Sequence, residues 1–114
     1  MEARFEANAE SLYERRWALD LLDRVLDRLR HESVASGREV VFDQLECCLL
    51  GERRTETYAQ LGARLGMSET AVKVTVHRLR QRYRDLLREE IAHTVTRPEE
   101  IDQEMRYLFE VVSR

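Results

Sequence analysis

Apolar residues recur every three or four positions along most of the chain, and no segment alternates strictly between apolar and polar, so the pattern predicts helices and no strand. The first predicted helix covers about residues 10–33, with Leu12, Leu19, Leu22, Leu26 and Leu29 on one stripe and Ala18, Leu21 and Val25 beside it. A stripe that wide faces a core. Ser36-Gly37 signals a stop, after which Val41, Phe42, Leu45, Cys48 and Leu49 mark a shorter helix expected to end at Gly51. Residues 52–56 read as a polar loop.

Thr57 suits an N-cap, with Gln60 placed to complete a capping box, and Tyr58, Leu61 and Leu65 give the third helix its apolar side. Gly66 ends it. Ser68 caps a fourth helix, which should be long because nothing between Glu69 and His93 is proline or glycine. Pro98 is suited to open a fifth, whose apolar set is Ile101, Met105, Leu108, Phe109 and Val112. The expected fold is therefore all-α, with about five helices. A helix-turn-helix, comparable to a three-helix winged-helix core without its wing, is flanked by a long N-terminal helix and a C-terminal one. The expected organisation is a single domain over residues 1–114, with the helix-turn-helix at 57–88, an N-terminal helical extension at about 10–50 and the last helix at about 98–112.

A chain of 114 residues, 43% hydrophobic, can build a modest core without disulfides or metals. Its apolar runs fall far short of the roughly 20 residues that span a bilayer. The segment Met1-Glu2-Ala3-Arg4-Phe5-Glu6-Ala7 carries carboxylates where a secretory leader needs positive charge and a continuous apolar run, which points to the cytoplasm and to no membrane partner. Cys47 and Cys48 are adjacent, offering neither a disulfide framework nor zinc-knuckle spacing, and read as small core-filling residues. His31, His77 and His93 are scattered, and there is no glycine-rich phosphate loop or Ser/His/Asp arrangement, so neither catalysis nor a metal or cofactor is expected.

Charge distribution changes the picture more than composition does. The net charge is −3, yet residues 73–88 hold six basic side chains against one acid, while residues 89–114 hold seven acids against three arginines. On a helical wheel of about 100° per residue, Lys73, His77, Arg80, Arg84 and Arg88 fall within roughly an 80° arc with Thr70 at its edge. Val72, Val76, Leu79, Tyr83 and Leu86 gather about a quarter-turn or more away. A merely solvated face mixes signs; one sign sustained over several turns suits phosphate neutralisation.

The run Tyr58-Ala59-Gln60-Leu61-Gly62-Ala63-Arg64-Leu65-Gly66-Met67-Ser68-Glu69-Thr70-Ala71-Val72-Lys73, followed by His77-Arg78-Leu79-Arg80, resembles region 4 of bacterial extracytoplasmic-function sigma factors. The specific signal is Leu-Gly-Met-Ser-Glu, Ala-Val-Lys and His-Arg-Leu-Arg at fixed spacing, and a looser likeness extends from Arg15-Arg16-Trp17 to Tyr107-Leu108-Phe109. The resemblance implies reading of a promoter −35 element in the major groove by the second helix of the motif, and docking on the β flap of RNA polymerase. It implies base-reading or adjoining positions at Glu69, Thr70, Lys73 and Val74, and positions near phosphates at His77, Arg78 and Arg80. With Ser68 and Arg84 these form the candidate DNA-binding set. The wheel does not place Arg78 or Arg82 on the basic arc, which leaves them for polymerase, another protein or water.

No segment offers region 2, through which sigma factors bind the core enzyme and melt DNA. The chain is therefore expected to be either a C-terminal part of a longer sigma factor or a small regulator built from one, and not to initiate transcription alone. The competing expectation is a helical interaction module that binds polymerase, an anti-sigma factor or its own copy as a homodimer, because the first helix with Tyr13 and Trp17 offers more apolar surface than one neighbour would cover. Phe5, the second helix and the last helix are the alternative cover for that surface. The acidic last helix, folded on the helix-turn-helix, is a further expectation for masking part of the basic face.

Overall fold

A computed structural model describes residues 2–49 and 55–113, with side chains from residue 9 onward. It is all-helical, with five α-helices and no strand among the described residues: α1 Glu2–Ala35, α2 Glu39–Leu45, α3 Tyr58–Leu65, α4 Glu69–Ala92 and α5 Glu100–Ser113. The expected helix end at Gly51, loop residues 52–54 and the Phe5 side chain lie outside the described residues.

α1 contains neither glycine nor proline and ends where the sequence signals it. Arg38 N–H donates to Ser33 carbonyl at 2.7 Å and Gly37 N–H to Val34 at 3.0 Å, the paired bonds of a Schellman ending. α2 is shorter than expected because the chain tightens into a 3-10 turn over Glu46–Cys48. With three residues per turn, Cys48 comes directly into line with Leu45, and both are fully buried. α5 starts at Glu100, after a turn in which Ile101 N–H donates to Pro98 carbonyl at 3.2 Å.

The chain divides into two compact units, one formed by residues up to Leu26 with those from Leu86 onward, the other by Asp27–Asp85. In the first, the buried positions are Ala18, Leu21, Leu22 and Val25 of α1, Leu86, Leu87 and Ile91 of α4, and Met105, Leu108 and Val111 of α5. Trp17 and Tyr107 stack at 5.9 Å between ring centroids, tilted by 37°. Arg88 pairs with Asp102 at 2.6 Å, which holds the Asp102 carboxyl below its usual range through the hydrogen bond first and the charge second.

Two stripes differ from expectation. Leu12 is 68% and Leu19 43% exposed, because the seven-residue leucine row lies about 80–120° from the row defined by Ala18, Leu21, Leu22, Val25 and Leu29 that is buried. In α5 the buried centre is Met105, Leu108 and Val111, which turns Phe109 outward at 39% exposure.

In the second unit, Leu45, Cys48, Leu61, Val72 and Val76 form one buried cluster, flanked by partly buried Val41, Tyr58, Leu65, Met67 and Leu79. The elements around the α3–α4 connection thus share a single core. Leu29, Phe42, Leu49 and Tyr83 are buried in the same unit.

Candidate nucleic-acid interface

Local chemistry fixes the start of α3. Thr57 N–H donates to Gln60 Oε1 at 2.9 Å while Gln60 N–H donates to Thr57 Oγ1 at 3.1 Å, the reciprocal capping box that the spacing predicts. Arg64 on the outer side of α3 pairs with Glu56 at 2.8 Å and donates to Gln44 at 2.6 Å.

Three residues, Gly66, Met67 and Ser68, connect α3 to α4. Gly66 takes φ +69°, a left-handed conformation that costs a side-chain-bearing residue energy. Met67 N–H then donates to Gly62 carbonyl at 2.8 Å. The turn lies so close over Gly62 that a Cβ there would sit 2.4 Å from Met67 carbonyl oxygen. Ser68 Oγ accepts from Ala71 N–H at 3.1 Å, so α4 begins with a satisfied cap.

Val72 and Val76 are buried, and the same turns of α4 present Ser68, Glu69, Thr70, Lys73, Val74 and His77 to solvent. All six candidate residues are exposed; Glu69, Thr70, Lys73 and His77 lie within about 100° of the helix circumference with Val74 at the margin, while Ser68 stands apart at the helix start. Lys73 Nζ lies 3.5 Å from Glu69 Oε1, an i,i+4 pair with both side chains more than half exposed. Such a pair contributes only about 0.3–0.5 kcal/mol, so either charge can turn to another partner at small cost. Glu69 offers acceptors for a cytosine amino group, Thr70 a hydroxyl, and Val74 an apolar surface for a thymine methyl.

The remaining candidates divide. Arg84 is exposed and makes no hydrogen bond or ion pair among the described residues. Arg80 is half-buried, and its Nε donates to the Cys48 carbonyl at 2.8 Å, tying α4 to the 3-10 turn. Arg78, about 140° around the helix from Lys73, lines a cavity on another side of α4. Arg82 grips Glu32 with Nε and Nη2, and that hydrogen bonding, opposed by partial burial, holds the Glu32 carboxyl below its usual range. Since Arg88 is held by Asp102, the row of five basic groups reduces to Lys73, His77 and Arg84 as positions with no tertiary tie.

Arg80 and Arg84 share one helical row, so their difference was not legible in the sequence; it comes from the carbonyl that the 3-10 turn brings to one of them. Replacing Arg80 by alanine leaves Cys48 carbonyl without this donor, and a stability loss of about 1–3 kcal/mol is expected. Arg84→Ala should change stability by less than about 0.5 kcal/mol. Urea unfolding of the two variants, followed by circular dichroism, separates them; equal midpoints would dismiss the tie.

Cys47 is exposed and Cys48 buried, with the two sulfurs 3.9 Å apart and no disulfide. Among the described residues, no group of three or more His, Cys, Asp or Glu side chains is placed to hold a metal ion, and no helix is long and apolar enough to cross a membrane. No protein-family model, curated protein or solved structure matches the chain.

Proposed function

We propose that α3, its three-residue turn and α4 act as a helix-turn-helix that reads double-stranded DNA, with the first turns of α4 in the major groove, as region 4 of a sigma factor reads a promoter −35 element. The observation that carries this reading is the exposed set Glu69, Thr70, Lys73, Val74 and His77 on α4, with its cap Ser68, while Val72 and Val76 of the same turns are buried. A helix anchored on one side and polar and exposed on the other, with Arg84 adding positive charge farther along, can enter a groove about as wide as itself. The tight connection at Gly62 and Gly66 would fix the entry angle.

In this reading Glu69, Thr70 and Val74 meet base edges, Lys73 and His77 meet phosphates or bases, and Arg84 reaches the backbone farther along α4. Arg80 acts by holding the unit together. RNA polymerase and an anti-sigma factor are the protein partners the reading proposes, the protein is cytoplasmic in it, and it assigns no catalysis.

With few untied cations, isolated binding should be weak and strongly salt-dependent, losing about 0.9 in the logarithmic salt slope for each phosphate contact removed. Fluorescence anisotropy with a randomised duplex pool at low and moderate salt, followed by sequencing of the retained DNA, tests the reading. Enrichment of one short motif is expected, with Lys73→Ala weakening binding and reducing the slope by about one contact. Binding that enriches no sequence, or that Lys73→Ala leaves unchanged, rejects it.

A second reading, a helical module that binds a protein partner, is favoured by one observation. Leu12 and Tyr13 near the start of α1 are 68% and 75% exposed, an apolar pair left uncovered among the described residues. Loss of polymerase or anti-sigma association on Leu12→Glu, with DNA selection absent, would favour it.

A further inference from the structure

A cavity of about 220 Å³ opens in the second unit beside the end of α1, and its lining separates into an apolar floor and a cationic rim. Leu29 and Phe42, 2% and 1% exposed, form the floor with half-buried Leu79. Around it stand Arg38, Arg78 and Arg82 with the single carboxylate of Glu32. Glu32 is taken by both Nε and Nη2 of Arg82, so these two charges cancel. Arg38 and Arg78 have no side-chain hydrogen bond or ion pair among the described residues, which leaves the lining with two uncompensated positive charges.

The hydroxyls in the wall sharpen the requirement. Ser36 Oγ donates to Ser33 carbonyl at 3.1 Å and Thr75 Oγ1 donates to Ala71 carbonyl at 2.8 Å, so both protons are committed and both oxygens offer only lone pairs. Among the lining side chains, charge-assisted hydrogen-bond donation uncompensated by a carboxylate falls to the guanidinium groups of Arg38 and Arg78, whose planar forks match a carboxylate. The volume lies below the range of drug-sized pockets and suits a small molecule such as a ring with a short chain.

We propose that this cavity is a binding site for a small organic carboxylate with an apolar body, the body lying over Leu29, Phe42 and Leu79 and the carboxylate held by Arg38 and Arg78. Desolvated apolar contact selects the body, and the unpaired guanidiniums select the charge. The site does not depend on α4 reading DNA: Arg78 and Leu79 face it from a side of α4 other than that of Lys73.

The probe is 4-phenylbutyrate, titrated into the whole chain and followed in amide proton–nitrogen correlation spectra, with neutral 4-phenylbutyramide and inorganic phosphate as comparisons. Saturable shifts confined to the backbone around Ser33, Ser36, Phe42, Thr75 and Leu79 are expected, with a dissociation constant on the order of millimolar, as suits a fragment-sized ligand. The amide should bind at least tenfold more weakly, and phosphate, which has charge but no apolar body, should not shift these residues. Arg78→Gln and Arg38→Gln should each weaken 4-phenylbutyrate at least tenfold while the helical circular dichroism stays unchanged. Equal affinity for acid and amide, equal response to phosphate, indifference to both substitutions, or no saturable shift at all would overturn the proposal.

Discussion

Gly62→Ala is expected to destabilise the protein by about 3 kcal/mol, although alanine is the better helix former by roughly 1 kcal/mol. The added methyl would stand 2.4 Å from Met67 carbonyl oxygen and 3.3 Å from its carbon, and real contacts to Cβ essentially never fall under 3.0 Å. These are backbone atoms, pinned by the 2.8 Å bond from Met67 N–H to Gly62 carbonyl and by the left-handed turn at Gly66, so no side chain can rotate away. The chain must open the α3–α4 connection, at the expense of the cluster around Leu61 and Val72. Gly66→Ala is the useful contrast. It meets open space but keeps φ +69°, which costs about 1–2 kcal/mol. Urea midpoints at constant slope give both values. A Gly62→Ala midpoint equal to that of the parent would mean the close approach is not kept in solution.

Phe42→Ala should cost about as much or more, in the range of about 3–5 kcal/mol. Among the described residues, Phe42 is the largest of the fully buried side chains, at 1% exposure. α2 has only seven residues and its N-cap Arg38 makes no side-chain capping bond, so it has little stability of its own. Phe42 and Leu45 are its buried residues. Without the ring, α2 retains one anchor, and the floor of the cavity becomes a void. Hydrogen exchange should accelerate first at α2 amides, and the thermal transition should fall by more than it does for Phe42→Leu. A loss under about 1 kcal/mol would show that α2 is held by something other than Phe42.

Elements with strong local chemistry were legible in the sequence. The capping box at Thr57, the stop at Gly66, the cap at Ser68 and the uninterrupted run after Glu69 placed α3 and α4 within a residue, because each end is decided by groups a few positions apart. Faces were harder. The leucine row through Leu12, Leu19 and Leu26 is as apolar as the buried row beside it, and only tertiary packing chooses between rows a quarter-turn apart. The tightening at Glu46–Cys48 left no mark in the apolar spacing, because i and i+3 positions fit either helix type. At the candidate interface the exposed face of α4 followed from the wheel. The engagement of Arg80, Arg82 and Arg88 did not, because their partners, the Cys48 carbonyl, Glu32 and Asp102, are 32, 50 and 14 positions away.

The boundary between the two compact units falls inside α1, after Leu26, and inside α4, before Leu86. A minimal fragment carrying α3 and the proposed DNA-facing part of α4 therefore cannot be released by cutting in a loop. Excision at Asp27–Asp85 would create two raw helix ends, each with a turn of unpaired backbone groups. Asp27 would suit its new amino end, where a carboxylate meets the positive pole of α1, whereas Asp85 would sit at the negative pole of α4. Moving the second cut to Arg88 replaces that terminal repulsion with an attraction, so the piece that survives dissection should be slightly longer than the unit itself.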